Sequence, residues 1–245
     1  KGDEVITPSF TYIATVEVMA LLGLVPKFIE VNPETFNIDV SQLKTLISPK
    51  TKAIVPVHLY GQCAHMEEIL KIATIYNLHV IEDTAQAIGA DYTFSNGTTK
   101  KAGTIGTIGC TSFFPSKNLG CYGDGGAIFT NDSELAKKLK MCANHGQSIK
   151  YHHDIIGVNS RLDTLQAAVL KVKLPHLDEY TSARNKAADY YTKSLSSVKG
   201  IITPKTATNS THAFHQYTLK LDGIDQAGLR KYLTSKGIPT NIYYP

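Results

Sequence analysis

A single lysine, Lys117, lies in the stretch SFFPSKNLG, between two phenylalanines and a proline on one side and a leucine on the other. An amine in apolar surroundings loses its proton more easily than one in water, and a neutral amine near pH 7 is a nucleophile. The same stretch also fits a loop lysine that points into solvent. Both interpretations stay open until the rest of the chain supplies partners for the amine.

Other residues that could do chemistry follow the ends of predicted strands. In an open parallel sheet, ligands bind at the carboxyl ends of the strands. The residues at those positions are Thr11, Tyr12, His58, Tyr60, Asp83, Gln86, Ser112 and Lys117. Together they offer an amine, a carboxylate, an amide, hydroxyls and aromatic rings.

Each of these side chains also has a simpler explanation. Asp83 could hold the proton of a pyridine-type nitrogen, as pyridoxal phosphate sites require, or could cap a helix beginning in TAQAIGA. Ser112 could bind a phosphate or be a plain strand hydroxyl. Tyr12 and His58 could stack on a planar ring or belong to the core or its rim. No single residue decides between these alternatives.

The elements that must position these residues alternate along the chain. Apolar strand runs are predicted at EVIT (4–7), LVPKFIEV (24–31), TKAIVPV (51–57) and LHVIED (78–83), with helical patterns at about 12–22 and 65–76. Strands that are apolar throughout and separated by helices indicate a parallel sheet covered on both faces. Two more strands, within 104–114 and 125–131, flank the Lys117 loop, and Asn131 is predicted to cap the helix that follows.

The second half of the chain is predicted to be mainly helical at first. A helix runs from near Ser160 to Pro175 and another continues to about Leu195, followed by a Ser/Thr-rich linker or loop at 196–212. The runs FHQYTLKL, QAGLRKYLTSKG and IPTNIYY then predict a small β-α-β unit.

We therefore predict two domains. Residues 1–175 would form a large cofactor-binding α/β domain, and residues 176–245 a linker helix with a partial small α+β C-terminal domain. The sequence lacks an initiator methionine and both ends lie close to predicted strands. We expect that an N-terminal segment and the remainder of the small domain lie outside it.

Composition excludes several classes of function. The net charge of +4 comes from 25 basic and 21 acidic residues without a basic cluster, so nucleic acid is not an expected partner. The four cysteines form no CxxC pair, which favours reduced thiols in the cytoplasm. No apolar run approaches the ~20 residues of a membrane span, so no membrane association is expected.

Other cofactors fit the sequence less well. GTIGTIG lacks the spacing of a dinucleotide-binding GxGxxG turn, Lys117 lacks the glycines of a Walker A loop, and GxSxG is absent. His152, His153, His212 and His215 have no HExxH motif or cysteine pair beside them. We predict no metal site.

Six blocks of sequence are similar to one known family. EVITPSFTYIAT, KAIVPVHLYGQ, VIEDTAQAIGA, SFFPSKNLG, GDGGAIFTND and GVNSRLDTLQAA occur in the order and spacing of the pyridoxal-phosphate-dependent nucleotide-sugar aminotransferases of the DegT/DnrJ/StrS type. The resemblance implies an aspartate-aminotransferase-like fold, type I among pyridoxal phosphate enzymes, and a homodimer with a shared active site. Family members also have a preceding segment with a Gly-Thr loop that binds the cofactor phosphate, which this sequence does not contain.

The resemblance also implies roles for the cofactor-binding positions. Lys117 would form the covalent link to pyridoxal 5'-phosphate and later shuttle a proton between substrate and cofactor carbons. Asp83 would be the partner of the pyridine nitrogen, and Gln86 would lie beside the ring and its hydroxyl. Ser112 resembles a phosphate ligand and Tyr12 the aromatic that stacks on the ring.

Further positions match parts of the family site that contact substrate or the partner subunit. Asn159 and Arg161, in GVNSR, resemble residues that reach into the other subunit's site, Asn159 toward the phosphate and Arg161 toward the substrate. Tyr243 and Tyr244 lie where the family contacts the sugar.

The reaction implied is transfer of an amino group from glutamate, or less often glutamine, to a nucleotide-linked keto-sugar. The block that begins at Asn144 resembles members that aminate C3 of UDP-linked acetamido sugars or uronates for surface polysaccharides, including lipopolysaccharide. Two alternatives stay open: a sugar dehydratase on the same fold, where relatives have histidine at the lysine position, and a non-catalytic regulatory or binding homologue.

Overall fold

A computed structural model describes residues 1–245 and contains twelve strands and seven α-helices. The strands are β1 Glu4–Pro8, β2 Val25–Ile29, β3 Thr51–Ile54, β4 His79–Asp83, β5 Asp91–Thr93, β6 Thr99–Lys101, β7 Ile108–Ser112, β8 Gly126–Phe129, β9 Gln147–Ile149, β10 His152–His153, β11 Ile201–Ile202 and β12 Lys220–Leu221. The helices are α1 Ala14–Leu21, α2 Leu43–Leu46, α3 Met66–Tyr76, α4 Ser133–Cys142, α5 Thr164–Lys173, α6 Leu177–Leu195 and α7 Gln226–Ser235.

Six strands form the central sheet, in the order β2-β1-β3-β4-β7-β8. The first five are parallel, and β8 runs antiparallel to β7. The predicted α/β fold with a mostly parallel sheet is confirmed. Because parallel strands end at the same edge, the residues that follow β1, β3, β4 and β7 meet there.

Both faces of the sheet are covered, as the apolar strand runs predict. Successive residues of a strand face opposite sides. Ile6 of β1 joins the largest core cluster together with Ile69 of α3, whereas its neighbour Val5 joins a smaller cluster with Met19 of α1. None of the helices has the length and apolar character that crossing a bilayer requires.

The segment TAQAIGA, predicted as a helix start, forms consecutive turns instead, at 85–89. The N-cap of α4 is Asp132 rather than Asn131, because the Asp132 carboxylate accepts hydrogen bonds from the amides of Glu134 and Leu135. Both differences shift local boundaries and leave the order of the elements unchanged.

The predicted β-α-β unit near the end is only partly formed. Of FHQYTLKL, only Lys220–Leu221 is a strand, and it pairs with β11 in an antiparallel ladder. IPTNIYY was predicted as a strand and that is wrong, since it has no strand partner. Its tyrosine rings instead pack beside Phe10 and Tyr60 in a separate aromatic cluster.

Residues 203–219, which include the end of the predicted linker, form a loop that packs against the sheet domain. Ser210 and His212 are buried, and Ala213 is part of the largest core cluster. Isolated bridges join Ser210 to Tyr92 and His212 to Gln62. The loop therefore links the C-terminal region tightly to the residues that follow β3.

Candidate active site

Asp83, the last residue of β4, presents its carboxylate at the carboxyl edge of the sheet. One oxygen, Oδ2, accepts a hydrogen bond from the Thr15 hydroxyl at 2.6 Å, and the other, Oδ1, accepts one from the Ala85 amide at 3.0 Å. No basic side chain lies within salt-bridge distance of Asp83. The carboxylate is thus fixed in direction and keeps acceptor capacity for a ligand.

Thr15 is a site residue that sequence reasoning missed. It lies in the first turn of α1 and is almost completely buried, at 8% exposure. The available signal was its place in the chain: Thr15 lies three residues after Tyr12, in the segment that leaves β1 at the carboxyl edge of the sheet.

Lys117 lies in a turn after β7, where its amide donates to the Phe114 carbonyl at 2.9 Å. Burial lowers the pKa of its amine, and the nearby Asp83 carboxylate partly opposes that shift. The structure therefore brings Lys117 within electrostatic reach of Asp83, and partial burial increases the fraction of neutral amine.

Gln86 is held at both ends of its amide. Its Oε1 accepts a hydrogen bond from the Tyr60 backbone amide at 2.7 Å, and its Nε2 donates to the Tyr244 hydroxyl at 3.0 Å. Tyr60 adopts a left-handed backbone conformation, with φ of 58°. A tyrosine rarely adopts that conformation, and such strain is concentrated at functional sites.

Aromatic rings surround this group. Tyr12 is 59% exposed, and its ring centroid lies 6.4 Å from that of Tyr244. Tyr243 accepts a hydrogen bond from the Tyr60 hydroxyl through its backbone oxygen, at 2.8 Å. The structure places Tyr244 beside Gln86 and Tyr12, which the sequence analysis assigned to the cofactor. We call Asp83, Lys117, Gln86, Tyr12 and Tyr244 the open site.

Ser112 ends β7, five residues before Lys117, and its hydroxyl accepts a hydrogen bond from the Phe114 amide at 3.2 Å. This contact stabilises the turn that leads to Lys117. Its assignment as a phosphate ligand stays a prediction.

Asn159 and Arg161 lie apart from the open site. Both are exposed, and the Arg161 Nε donates to the Asn159 side-chain oxygen at 2.8 Å. They line a groove of about 1050 Å³ along β8 and α4, and no open-site residue lines that groove. Within one chain, then, the structure does not bring these two residues to Lys117.

His58 is not available to stack on a ligand ring, because it is fully buried. Its Nδ1 accepts a hydrogen bond from the Ala64 amide at 3.1 Å, so its proton is on Nε2, which lies 2.9 Å from Glu82 Oε2. Glu82 also accepts from the amides of Gly103, Ile105 and Gly106. We call Glu82, His58 and the turn 103–106 the buried anchor.

The charge on Glu82 is stabilised despite its burial. Burial alone raises the pKa of its carboxyl group, but the hydrogen bonds from His58 and the backbone amides more than compensate and leave it below the usual value. Glu82 is therefore a carboxylate with all four hydrogen bonds internal to the protein.

The open site fits pyridoxal phosphate by the chemistry of its groups. Asp83 offers an unpaired carboxylate for a protonated ring nitrogen, and Lys117 offers an amine with a lowered pKa for an aldehyde. Tyr12 offers an exposed ring face and Gln86 an oriented amide.

Comparison with known proteins likewise supports a pyridoxal phosphate site. The model of the DegT/DnrJ/EryC1/StrS aminotransferase family matches residues 1–245. The chain is 50% identical to the UDP-2-acetamido-2-deoxy-3-oxo-D-glucuronate aminotransferase of Pseudomonas aeruginosa. It is 51% identical to the pleiotropic regulatory protein of Geobacillus stearothermophilus. Each alignment covers 100% of this chain. It spans 66% and 64% of those relatives.

A solved structure gives the same result for the fold. The S. venezuelae protein DesV, determined with a ketimine intermediate, superposes with a TM-score of 0.93 at 41% identity, covering 100% of this chain and 64% of DesV. This agreement confirms the predicted aspartate-aminotransferase-like fold.

Proposed function

The chain belongs to the DegT/DnrJ/EryC1/StrS aminotransferase family, whose enzymes depend on pyridoxal phosphate, and from this we propose that it catalyses amino transfer to a nucleotide-linked keto-sugar. In the proposed reaction the amino group of glutamate, or of glutamine, replaces the ketone oxygen of the sugar, and the donor leaves as the corresponding keto acid. The observation that carries the proposal is Lys117, an amine with a burial-lowered pKa, within reach of the unpaired Asp83 carboxylate.

The open site supplies the contacts that the cofactor needs. Lys117 would attach it, Asp83 would accept a hydrogen bond from its ring nitrogen, and Tyr12 and Gln86 would lie along the ring. Ser112 and, from the partner subunit, the residue equivalent to Asn159 would hold the phosphate. When bound, pyridoxal phosphate supplies an aldehyde that exchanges amino groups and a ring that withdraws electrons from the reacting carbon.

Lys117 would also move the proton on which amino transfer depends. The neutral Nζ of Lys117 accepts the proton that leaves the α-carbon of the amino donor and, in the second half-reaction, delivers a proton to the sugar carbon. A positioned general base of this kind contributes roughly 10²–10⁴ in rate. Asp83 would hold a proton on the ring nitrogen of the bound cofactor, which would make the α-carbon of the amino donor more acidic.

The proposed substrate is a UDP-linked 3-keto acetamido sugar or uronate. Support comes from the Pseudomonas aeruginosa relative, whose name specifies a 3-oxo acetamido glucuronate carried on UDP. Arg161, Tyr243 and Tyr244 are the proposed substrate-binding residues. The product would serve surface polysaccharide synthesis in the cytoplasm, including that of lipopolysaccharide.

We also propose a homodimer with a shared active site. Several large apolar side chains are exposed between residues 149 and 165, among them Tyr151 at 77%, Ile156 at 99% and Leu165 at 80%. Apolar surface of this extent is typical of an interface. A dimer that covers it could bring Asn159 and Arg161, which lie apart from Lys117 in one chain, to the partner's open site.

Two alternative functions are less well supported. The relative named as a regulatory protein is as similar as the named aminotransferase, so identity alone does not separate them. A cofactor-free scaffold, however, has no use for a partly buried amine beside an unpaired carboxylate. A dehydratase of this family would have histidine where this chain has Lys117.

One experiment tests the proposal directly. Purified protein is mixed with pyridoxal phosphate, its visible absorbance is recorded, and the adduct is reduced with borohydride and located by peptide mass mapping. We expect an absorbance band that bleaches with glutamate and an adduct on Lys117. The absence of a band, or an adduct elsewhere, would contradict the proposal. In a separate incubation with a nucleotide-linked keto-sugar, a sugar product without added nitrogen would indicate the dehydratase.

A further inference from the structure

His215 is a partly buried polar residue within electrostatic reach of the proposed reactive lysine, and the function above does not use it. It lies in the loop 203–219 that packs on the sheet domain, and its backbone amide donates to the Tyr60 carbonyl at 2.9 Å. Two residues earlier, the Ala213 amide donates to the Gly61 carbonyl at 2.7 Å. The segment 213–215 is therefore clamped onto the turn that carries Tyr60.

The close packing of the segment 213–215 on Gly61 leaves no room for a side chain at position 61. A Cβ at Gly61 would lie 2.8 Å from the Phe214 backbone nitrogen, closer than carbon atoms of this kind approach. The Arg184 side chain also holds this segment, because its Nη1 donates to the Phe214 carbonyl at 2.9 Å. The backbone around His215 is thus held by hydrogen bonds from its own amide and from the Arg184 side chain.

Asn118 connects this segment to Lys117, which immediately precedes it in the chain. The Asn118 Nδ2 donates to the Ala213 carbonyl at 2.7 Å, and this contact decides which way the amide faces. Its Oδ1 is then left to face His215 Nδ1 at 3.3 Å. Since Oδ1 only accepts, Nδ1 of His215 must carry the proton, and Nε2 is an unprotonated acceptor.

Burial and neighbouring positive charges keep the His215 ring neutral. Burial is the main cause that lowers its pKa to about 4, and the positive charges of Lys117 and Arg184 add to the shift. Along the chain the nearest titratable groups are Tyr217 and His212, and burial lowers the pKa of His212 to about 3. His215 is therefore a neutral ring of one tautomer at neutral pH.

We propose that His215 is a positioning residue for Lys117: by donating from Nδ1 to Asn118 it fixes the residue that follows Lys117, and so the direction in which the amine leaves its turn. The inference rests on the proposed role of Lys117. A reacting group displaced by about 1 Å can lose 10²-fold in rate, so a contact that orients the amine affects the chemistry and not only the fold.

Two variants separate positioning from bulk packing. His215→Asn keeps an N–H donor near the position of Nδ1, whereas His215→Leu keeps the volume and removes the donor. We expect the leucine variant to acquire the visible absorbance of bound pyridoxal phosphate about tenfold more slowly and to lose kcat with little change in KM. The asparagine variant should recover to within about twofold of the wild type. Equal behaviour of the two variants would overturn the inference.

A measurement on the unaltered protein covers the case in which the variants do not fold. Nitrogen and carbon chemical shifts of His215 should report the neutral Nδ1–H tautomer from pH 7 down to about pH 5. The other tautomer, or protonation near pH 6.5, would overturn the inference even if the wild-type adduct is on Lys117. A wild type that gives no adduct on Lys117 would overturn the proposed function as well.

Discussion

Glu82 and Asp83 are neighbours at the end of β4, yet their carboxylates belong to two different regions. Glu82, in the buried anchor, is completely buried and accepts four hydrogen bonds from the protein. Asp83, in the open site, accepts two and has no basic partner within salt-bridge distance. A carboxylate satisfied entirely by its own chain stabilises a fold, whereas one left with free acceptor capacity can hold a ligand.

The two regions are also mechanically linked. The buried anchor ties the residues after β3 to the turn before β7, and Asp83 follows directly from it in β4. The backbone amide of His58 donates to the Asp83 carbonyl at 2.9 Å. The buried anchor therefore determines where the open site lies. Substitutions in the buried anchor should lower stability, whereas substitutions in the open site should lower cofactor binding and turnover.

The largest effect is expected at Lys117. Lys117→Ala removes the proposed cofactor attachment point and the proposed proton acceptor, so turnover should fall by at least the roughly 10²–10⁴ that a general base supplies. The measurement is multiple-turnover formation of amino sugar, with circular dichroism to confirm folding. Sustained turnover by this variant would contradict the assignment.

Glu82→Gln tests the buried anchor. A glutamine has one acceptor oxygen, so its NH₂ group must face either two backbone amides or the amide of Gly103 and the N–H of His58. Leaving such groups unpaired in a buried site costs about 3–5 kcal/mol of unfolding free energy. Urea denaturation of the wild type and the variant measures that cost.

The matched control is Asp83→Asn, one residue further along. Asparagine can still accept from the Ala85 amide and donate to the Thr15 hydroxyl, so the unfolding free energy should change by less than about 1 kcal/mol. Cofactor absorbance and turnover should nevertheless be lost. If the two variants lose stability equally, the distinction between buried anchor and open site is wrong.

Acid should lower the unfolding free energy through His212, the residue that precedes the clamped segment 213–215. His212 has a pKa lowered from 6.5 to about 3, so the unfolded chain binds a proton in that interval that the folded chain does not. Stability contributed by the neutral ring is complete above pH 6.5 and decreases as the pH falls toward 3. At pH 5 the loss is about 2 kcal/mol.

Denaturation midpoints between pH 7 and pH 5 measure this loss, and a His212→Asn variant is the control. Asparagine does not titrate in this range, so its stability should depend less steeply on pH over the same interval. An identical slope in both proteins would show that His212 is not buried in its neutral form.

The smallest effect is expected at Thr15. Thr15→Val keeps the shape of the side chain and removes the hydroxyl that donates to Asp83 at 2.6 Å. We expect a loss of about 1.5 kcal/mol of stabilisation of that carboxylate, equivalent to roughly tenfold weaker cofactor binding. Fluorescence titration with pyridoxal phosphate measures it; unchanged affinity would mean that Ala85 alone orients Asp83.

The sequence by itself determined the alternation of strands and helices, and with it the parallel sheet, because apolar runs and helical periodicity are local patterns. It also placed the candidates Lys117, Asp83 and Gln86 at one edge, since strand ends in a parallel sheet share that edge. The family resemblance added the cofactor and the reaction class. The division of the chain at about residue 175 stays a prediction.

Only the tertiary structure decided which of two adjacent carboxylates is free, that His58 is a core residue, and that Thr15 supports Asp83. The same holds for the irregular path of IPTNIYY and for the contact between Asn118 and His215. These features depend on contacts between residues far apart in the chain, such as Asn118 and Ala213, which are 95 positions apart. Local propensity contains no information about such contacts, because burial and hydrogen-bond partners exist only once the elements have packed together.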